Sequence, residues 1–492
     1  MTRTENFIIF NPDEWRGDYA GCYEHPELKT PNLDRLADEG TRFDKAFVQH
    51  TVCSPSRCSF MTGWYPHVRG HRTLWHLLRP DEPHLFKYLT DAGYEVAWFG
   101  KNDLLAQESF EDSVTYYAHP RPMGFGRGDK VVRQGEPGYY SFLYEELPGT
   151  LDDLDDAACV DAGIEFLRRS HDEPFCLFLP LIMPHCPYTV PAPYYEMYDP
   201  DDMPELRPAE LPGKPSYHYL IRETRRLDET PERIFRKLNA VYCGMITAID
   251  DLLGRVLDAL DETGLADSTT VLVFSDHGDW AGDYGLVEKW SSAVDDCLTR
   301  VPFVVRTPGG TPGHVVEEQV EIHDQMATIL ELAGIEAQHT HFARSLVPQL
   351  RGEGGDPGRA VYAEAGYDAR EPHCLEGHPE RDSWGLRPEA VYYPKLKLNQ
   401  DHPEGVCRAT MIRTLTHKLV RRPESGEHEL YDLVNDPEEL HNVHGDPEYA
   451  DVQQDLSTQL LDWYVRTSDV VPFEEDPRGL PPHAKYWHER GV

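Results

Sequence analysis

Two hydrophobic patterns alternate over the first two-thirds of the chain. Continuous apolar runs, rich in aliphatic and aromatic residues, have the length of buried strands: NFIIF (6–10), YEVAWFG (94–100), PFCLFLPLIM (174–183), TTVLVFSD (269–276) and VPFVVRTPG (301–309). Between them lie segments with apolar residues three and four apart, which predict helices. These are TPNLDRLADEG (30–40), PHLFKYLTDAG (83–93), DAACVDAGIEFLRRSH (156–171), VYCGMITAIDDLLGRVLDALDETG (241–264) and VEIHDQMATILELAG (320–334). Continuous apolar strands separated by amphipathic helices predict an α/β fold whose large, mostly parallel sheet is covered by helices on both faces.

Past about residue 360 the pattern changes. ATMIRTLTHKLVRR (409–422) and HELYDL (428–433) read as short antiparallel strands, and EYADVQQDLSTQLLDWYVRT (448–467) as one closing helix. We expect a larger α/β domain over 1–365 and a smaller C-terminal α+β region over 366–492. Segment 197–230, rich in Pro, Gly and acid, reads as a surface insertion, and 366–406 as irregular loop. The stretch TVCSPSRCSF (51–60) reads as a turn-prone loop. No internal repeat is visible.

Composition narrows the function classes. A formal charge of −39 over 492 residues argues against a protein that coats nucleic acid, which needs basic stripes. No window reaches the roughly 18 to 20 apolar residues of a membrane span. The opening MTRTENFIIFNPDEW has an apolar run too short for a signal peptide, so a cytoplasmic location is expected. The 10 cysteines are scattered without a CxxC pair, which predicts neither a zinc cluster nor a disulfide framework.

Charged and imidazole side chains collect where the predicted strands end. NPDEWRGD follows the first strand with Asp13 and Glu14; GKND follows another with Lys101; MPHCPY carries His185; SDHGD carries Asp276 and His277. Taken singly, each has a plain structural role as a cap, a turn or a surface group. Taken together they fall where open α/β sheets bind ligands, beyond the carboxyl ends of the strands. Two oxygen-donor clusters at one sheet edge suit a divalent cation. Oxygen ligands favour calcium or magnesium, and His277 leans toward manganese. Lys101 and Lys289 would add the positive charge that holds a doubly charged oxyanion.

The motif CSPSR (53–57) resembles the Cys-x-Pro-Ser-Arg signature of the formylglycine-dependent sulfatases, members of the alkaline-phosphatase superfamily. It is flanked in family order by TPNLDRLADEGTRFDKAF, MTGWYPH, GYEVAWFGK, PHCPY, IDDLLGRVLDALDETGLADSTTVLVFSDHGD and HELYDLVNDPEELHN, so the resemblance runs from about residue 6 to 445. It implies a sulfuric ester hydrolase with an alkaline-phosphatase-like fold. It also implies that a formylglycine-generating enzyme oxidises Cys53 to an aldehyde, whose hydrate carries two hydroxyls on one carbon. One hydroxyl attacks sulfur and the other expels sulfate by re-forming the aldehyde. Arg57 is expected to support that residue, and Cys58, outside the signature, to pack. By the same resemblance Asp13, Glu14, Asp276, His277 and residue 53 would ligate one divalent metal, calcium or manganese with magnesium open. Lys101 and Lys289 would bind sulfate oxygens, and His185 would contact substrate and protonate the leaving alkoxide.

Two departures stand out. Many sulfatases read Lys-x-His where this chain has Lys101-Asn102-Asp103, so either Asp103 or Asn102 substitutes or the role falls elsewhere. Many have Asn where this chain has His277, and Asp-His recurs in the branch with choline sulfatases and phosphonate monoester hydrolases. The expected substrate is a small-molecule or saccharide sulfate ester, carbohydrate or aryl. The alternative is a phosphonate monoester or phosphodiester hydrolysed by the same formylglycine and metal. An inactive carbohydrate-binding relative would have lost residues that this chain keeps. HVRGHRTLWHLL (67–78) offers His67, His71, Arg72, Trp75 and His76 for a sugar ring or for structure, and the tail GLPPHAKYWHERGV (479–492) offers aromatic and basic groups. No nucleic-acid or membrane partner is expected, and an oligomer is compatible with the sequence.

Overall fold

The computed structural model describes residues 5–118, 129–368, 370–371 and 387–470. Its first half contains β1 (Asn6–Asp13), α1 (Pro31–Glu39), β2 (Thr41–Phe47), α2 (Cys53–Thr62), the short α3 (Pro66–Arg69), α4 (Leu85–Asp91), β3 (Glu95–Phe99), β4 (Tyr116–Ala118), α5 (Asp155–Leu167) and β5 (Phe175–Pro184). After these come α6 (Ser216–Arg225), α7 (Glu232–Glu262), β6 (Thr269–Phe274), α8 (Asp296–Thr299), β7 (Arg300–Val301), β8 (Phe303–Arg306), β9 (His314–Glu321) and α9 (Asp324–Ala333). The C-terminal part adds α10 (Val347–Leu350), β10 (Val361–Ala365), α11 (Tyr393–Asp401), β11 (Ala409–Arg413), β12 (His417–Arg421), β13 (Glu429–Asp432) and α12 (Ala450–Thr467).

β1 lies at the heart of the nine-stranded sheet β4-β3-β5-β1-β6-β8-β2-β7, in which β9 also pairs with β2. It runs parallel to β5 on one side and to β6 on the other. Strand alternation sorts its side chains: Ile8 and Phe10 join the core under α1, α5 and α7, whereas Phe7 and Ile9 join the core under α2, α4 and α9. Both faces are buried, as the continuous apolar runs predict. β8 departs from that pattern, running antiparallel to both β6 and β2. A second sheet, β10-β11-β12-β13, is antiparallel and backed by α12. Its first strand precedes residue 366.

Four local expectations are corrected. The stretch 51–60 is mostly helix: α2 starts at Cys53, and all ten of its residues are buried. Pro55 fits because a first-turn residue needs no N–H partner, and Gly63 closes the helix at φ 69°. Segment 197–230 is more than a surface insertion, since α6 buries Tyr217 and Ile221 against Trp280 and Tyr284. The stretch 366–406 contains α11, while 372–386 and the tail 479–492 lie outside the described residues. Helix α7 also begins earlier than its periodicity suggested, because Ile234, Phe235 and Leu238 extend its buried face. Among the described residues, no helix is long and apolar enough to cross a membrane.

Candidate active site

The carboxyl ends of β1, β3, β5 and β6 bring together the side chains singled out from the sequence. Asp13 ends β1, and Asp276 and His277 follow β6, which pairs with it. The first residue of α2, Cys53, is delivered from the other core face. Donor atoms of Asp13, Cys53, Asp276 and His277 all lie within 4.8 Å of one another, and all four residues are buried. Cys53 Sγ is 3.2 Å from His277 Nε2 and 3.6 Å from Asp13 Oδ1.

Around this cluster the outer valences are filled by protein groups. Arg57 donates from Nε to Asp276 Oδ2 at 2.8 Å and from a terminal nitrogen to Asp13 Oδ2 at 3.1 Å. The Glu14 backbone N–H donates to Asp276 Oδ1 at 3.1 Å, and Ser56 Oγ donates to the Asp276 carbonyl at 2.5 Å. Lys101 Nζ reaches Asp13 Oδ2 at 2.6 Å and Asp103 at 2.8 Å. His277 Nδ1 faces the Gly278 carbonyl at 3.0 Å, which places the proton on Nδ1 and leaves the Nε2 lone pair toward Asp13 and Cys53.

The electrostatics follow from burial and pairing. Burial alone would raise the Asp13 carboxyl, yet the Lys101 ammonium and the Arg57 guanidinium hold it well below the usual range. Burial lowers the His277 imidazole, so it stays neutral. Burial, with Asp13 beside it, pushes the Cys53 thiol well up and keeps it protonated. Burial works against the charge on Lys101, but Asp103 and Asp13 hold the ammonium well above its ordinary value. Two carboxylate oxygens, a neutral imidazole nitrogen and the side chain of residue 53 therefore form a donor set that fits a divalent cation.

Glu14 stands apart from that set. Its backbone is left-handed, φ 69°, and turns the carboxylate into a neighbouring cluster with His185 and Cys186. There Glu14 Oε2 accepts from Lys289 Nζ at 3.1 Å and lies 3.5 Å from His185 Nε2. Lys289 Nζ is 2.5 Å from His185 Nε2, and His185 Nδ1 donates to the Cys186 carbonyl at 2.6 Å. Burial, with Lys289 close by, holds the His185 imidazole well below its ordinary value. Burial raises Glu14 against the pull of Lys289, because Asp279, Glu288 and Asp13 crowd the same space.

The sequence did not reveal what holds this second cluster. Glu288, at φ 68°, is buried and clamped by Arg225 of α6 and Lys395 of α11, each at 2.7 Å. Asp279 accepts from Tyr188 and from the Glu288 N–H. Tyr392, just ahead of α11, lies 3.5 Å from Cys186 Sγ. Glu288 and Asp279 adjoin motif residues, which is a faint signal; Arg225 and Lys395 carry none.

Asn102 and Asp103 have protein partners in the structure. The Asn102 side chain caps its own loop, accepting from the Leu104 and Leu105 N–H groups, and Asp103 pairs with Lys101. Cys58 packs in the core as expected. His67 bridges Glu364 and Thr467, His71 bonds Glu82, and Arg72 bonds Glu371, so these three tie segments together.

A helix-covered sheet carrying this cluster at its strand ends defines a hydrolase of alkaline-phosphatase-like fold. The chain belongs to the sulfatase family: the Sulfatase model matches residues 5–335, and the C-terminal model of N-sulphoglucosamine sulphohydrolase matches 374–466. A multifunctional alkaline phosphatase superfamily protein, PehA, of Trinickia caryophylli is 30% identical over 98% of this chain and 99% of its own. An arylsulfatase of Clostridium perfringens is 26% identical, with 91% of each chain covered. Among solved structures, the phosphonate monoester hydrolase of Agrobacterium radiobacter superposes with a TM-score of 0.75 over 94% of this chain and 96% of its own, at 24% identity. That likeness is one of fold.

Proposed function

We propose that this sulfatase hydrolyses sulfate monoesters with a formylglycine made from Cys53 and one divalent cation held by Asp13, residue 53, Asp276 and His277. The observation that carries this reading is the buried four-residue donor set with its outer oxygens already saturated by Arg57, Lys101 and the Glu14 N–H. When bound, the cation supplies Lewis acidity and lowers the pKa of a hydroxyl, and formylglycine supplies that hydroxyl.

The chain's own residues account for the rest. Lys101 and Lys289 flank the cluster as two buried ammonium groups, suited to the oxygens of a dianionic sulfate. His185 is neutral, with Nε2 accepting from Lys289 Nζ at 2.5 Å, and this hydrogen-bonded pair is the proton source for the leaving oxygen. Glu14 keeps Lys289 charged and aimed. The CSPSR segment is helical and buried, so a maturation enzyme must reach Cys53 before α2 docks.

A second reading, hydrolysis of phosphonate monoesters or phosphodiesters at the same centre, draws on His277, whose Nε2 stands 3.2 Å from Cys53 Sγ. The test uses protein co-expressed with a formylglycine-generating enzyme, with residue 53 verified by peptide mass. Turnover of an aryl sulfate is compared with that of the matching aryl phosphonate ester, supplied equally with manganese or calcium. We expect the sulfate to be preferred and a strong chelator to abolish turnover. Preference for the phosphonate ester would move the assignment to the second reading.

A further inference from the structure

Two cavities differ in chemistry and in their relation to the site. One, of about 610 Å³, lies along the segment after α3 and is lined by Arg69, Arg72, Trp75 and Arg79, but by none of the nine candidate site residues. The other, of about 220 Å³, sits between the start of α5, the end of β5 and the middle of α7. His185 lines this second cavity. Its remaining wall is mainly apolar, with Leu147, Leu154, Met183 and Met245. An apolar cavity of roughly 150 Å³ already accommodates a benzene ring, so this one holds a compact aryl or alkyl group.

The wall is rigid where it meets the site. Asp156, buried in the first turn of α5, accepts from the Ile182 and Met183 N–H groups at 2.8 Å each, which fixes the turn that presents His185. At the rim the exposed Asp153 and partly exposed Asp155 also line the opening. Their charge opposes entry of any further anionic group carried by the substrate.

We propose that this cavity takes the organic group of the ester, and that it selects monosulfates of compact apolar alcohols that are neutral or positively charged. The inference rests on the sulfate-ester reading above and on His185 serving the leaving oxygen. The group attached to that oxygen must lie beside His185, and the cavity that His185 lines is apolar with an acidic rim. A polysulfated or uronate-bearing saccharide would place polar and anionic groups against that lining.

The experiment uses the mature enzyme and four probes: para-nitrophenyl sulfate, its para-carboxylate and para-trimethylammonium analogues, and a polysulfated disaccharide. We expect kcat/KM to be highest for the nitrophenyl and ammonium esters and at least tenfold lower for the carboxylate and the disaccharide. Met245→Trp, which fills the cavity, is expected to raise KM for para-nitrophenyl sulfate about tenfold or more. Inhibition by inorganic sulfate, which reads the anion grip alone, stays as in the wild type, and Met245→Leu restores KM. Leu147→Trp, on a loop, reports the same effect if α7 does not accept the larger ring. The double change Asp153→Asn with Asp155→Asn should narrow the gap between carboxylate and nitrophenyl esters severalfold. Preference for the polysulfated disaccharide, or an unchanged KM in both tryptophan variants, would overturn the proposal. Turnover of the matching aryl phosphonate ester but not of the sulfate would overturn the underlying sulfate reading. The tryptophan effect on that ester's KM would still decide the cavity.

Discussion

Two groups of side chains share the end of the sheet, and they are held in place by different means. The first, Asp13, Cys53, Arg57, Asp276 and His277, closes on itself: Arg57 spans both aspartates, and Ser56 and the Glu14 N–H complete Asp276. Its parts come from two adjacent strands and one helix turn. The second, Glu14, His185 and Lys289, leans on distant supports. Lys289 follows a left-handed Glu288 whose carboxylate is gripped by Arg225 and Lys395, from α6 and α11. The comparison teaches that the first group is completed by its own immediate neighbours in space, whereas the second depends on supports from helices outside the strand ends.

The largest expected effect lies in the first group. Cys53→Ala removes the residue proposed to become the nucleophile, so activity should fall about a thousandfold or more. The side chain is small and sits in a helix, so the melting temperature should change little. Retained activity would break the assignment at its centre.

Next comes His185→Ala in the second group. If Nε2 carries the proton to the leaving oxygen, kcat for a poor leaving group should drop about 100- to 10,000-fold. An aryl ester with an acidic phenol should lose much less, since its oxygen departs with little help. Equal losses for both esters would show that His185 only shapes the site.

Lys395→Met probes the support rather than the chemistry. It leaves Glu288 buried with Arg225 as its remaining cation, and removing one partner from a buried ion pair destabilises by several kcal/mol, about 3 to 5 when no second partner remains. We expect a smaller cost, together with a fall in kcat/KM of about tenfold that Lys395→Arg partly rescues. Lost stability with normal kinetics would show that the clamp serves the fold alone.

The smallest effect concerns acid. Burial pushes His84 down to about 3 and His339 to about 4, against an ordinary value of about 6.5. Both stay neutral when folded, so below about pH 6.5 the unfolded chain binds protons that the folded chain refuses. Their contribution is complete above that value and is lost as pH falls toward the folded values, at up to about 1.4 kcal/mol per pH unit for each. His339 receives the Tyr88 hydroxyl and donates to the Thr62 carbonyl at the end of α2, so acid should loosen that helix. Urea unfolding at pH 7 and pH 5 checks this, and His339→Gln should flatten the dependence.

Much of this was readable from local pattern. Apolar runs at 6–10, 174–183 and 269–276 are strands because both of their faces are buried, and that leaves a continuous hydrophobic signature. The residues after them gather at one edge because parallel strands point the same way, so Asp13, Lys101, His185 and Asp276 needed no tertiary information to be grouped. CSPSR marked Cys53 and Arg57 by spacing alone. The sequence therefore determined the sheet, its catalytic edge and the chemistry to look for.

Only the tertiary structure decided how those residues divide their work. Glu14 neighbours Asp13 in the chain, yet its left-handed backbone sends the carboxylate to Lys289 and His185, a turn with no sequence period to announce it. Pro55 made 51–60 look like a loop, and burial of every α2 side chain made it a helix. Lys395 falls in a stretch that reads as irregular loop, yet α11 docks it on Glu288, 107 positions away. Periodicity reports which face of an element is buried; it carries no record of the partner that buries it, and charge pairs, left-handed turns and cavities are set by that partner.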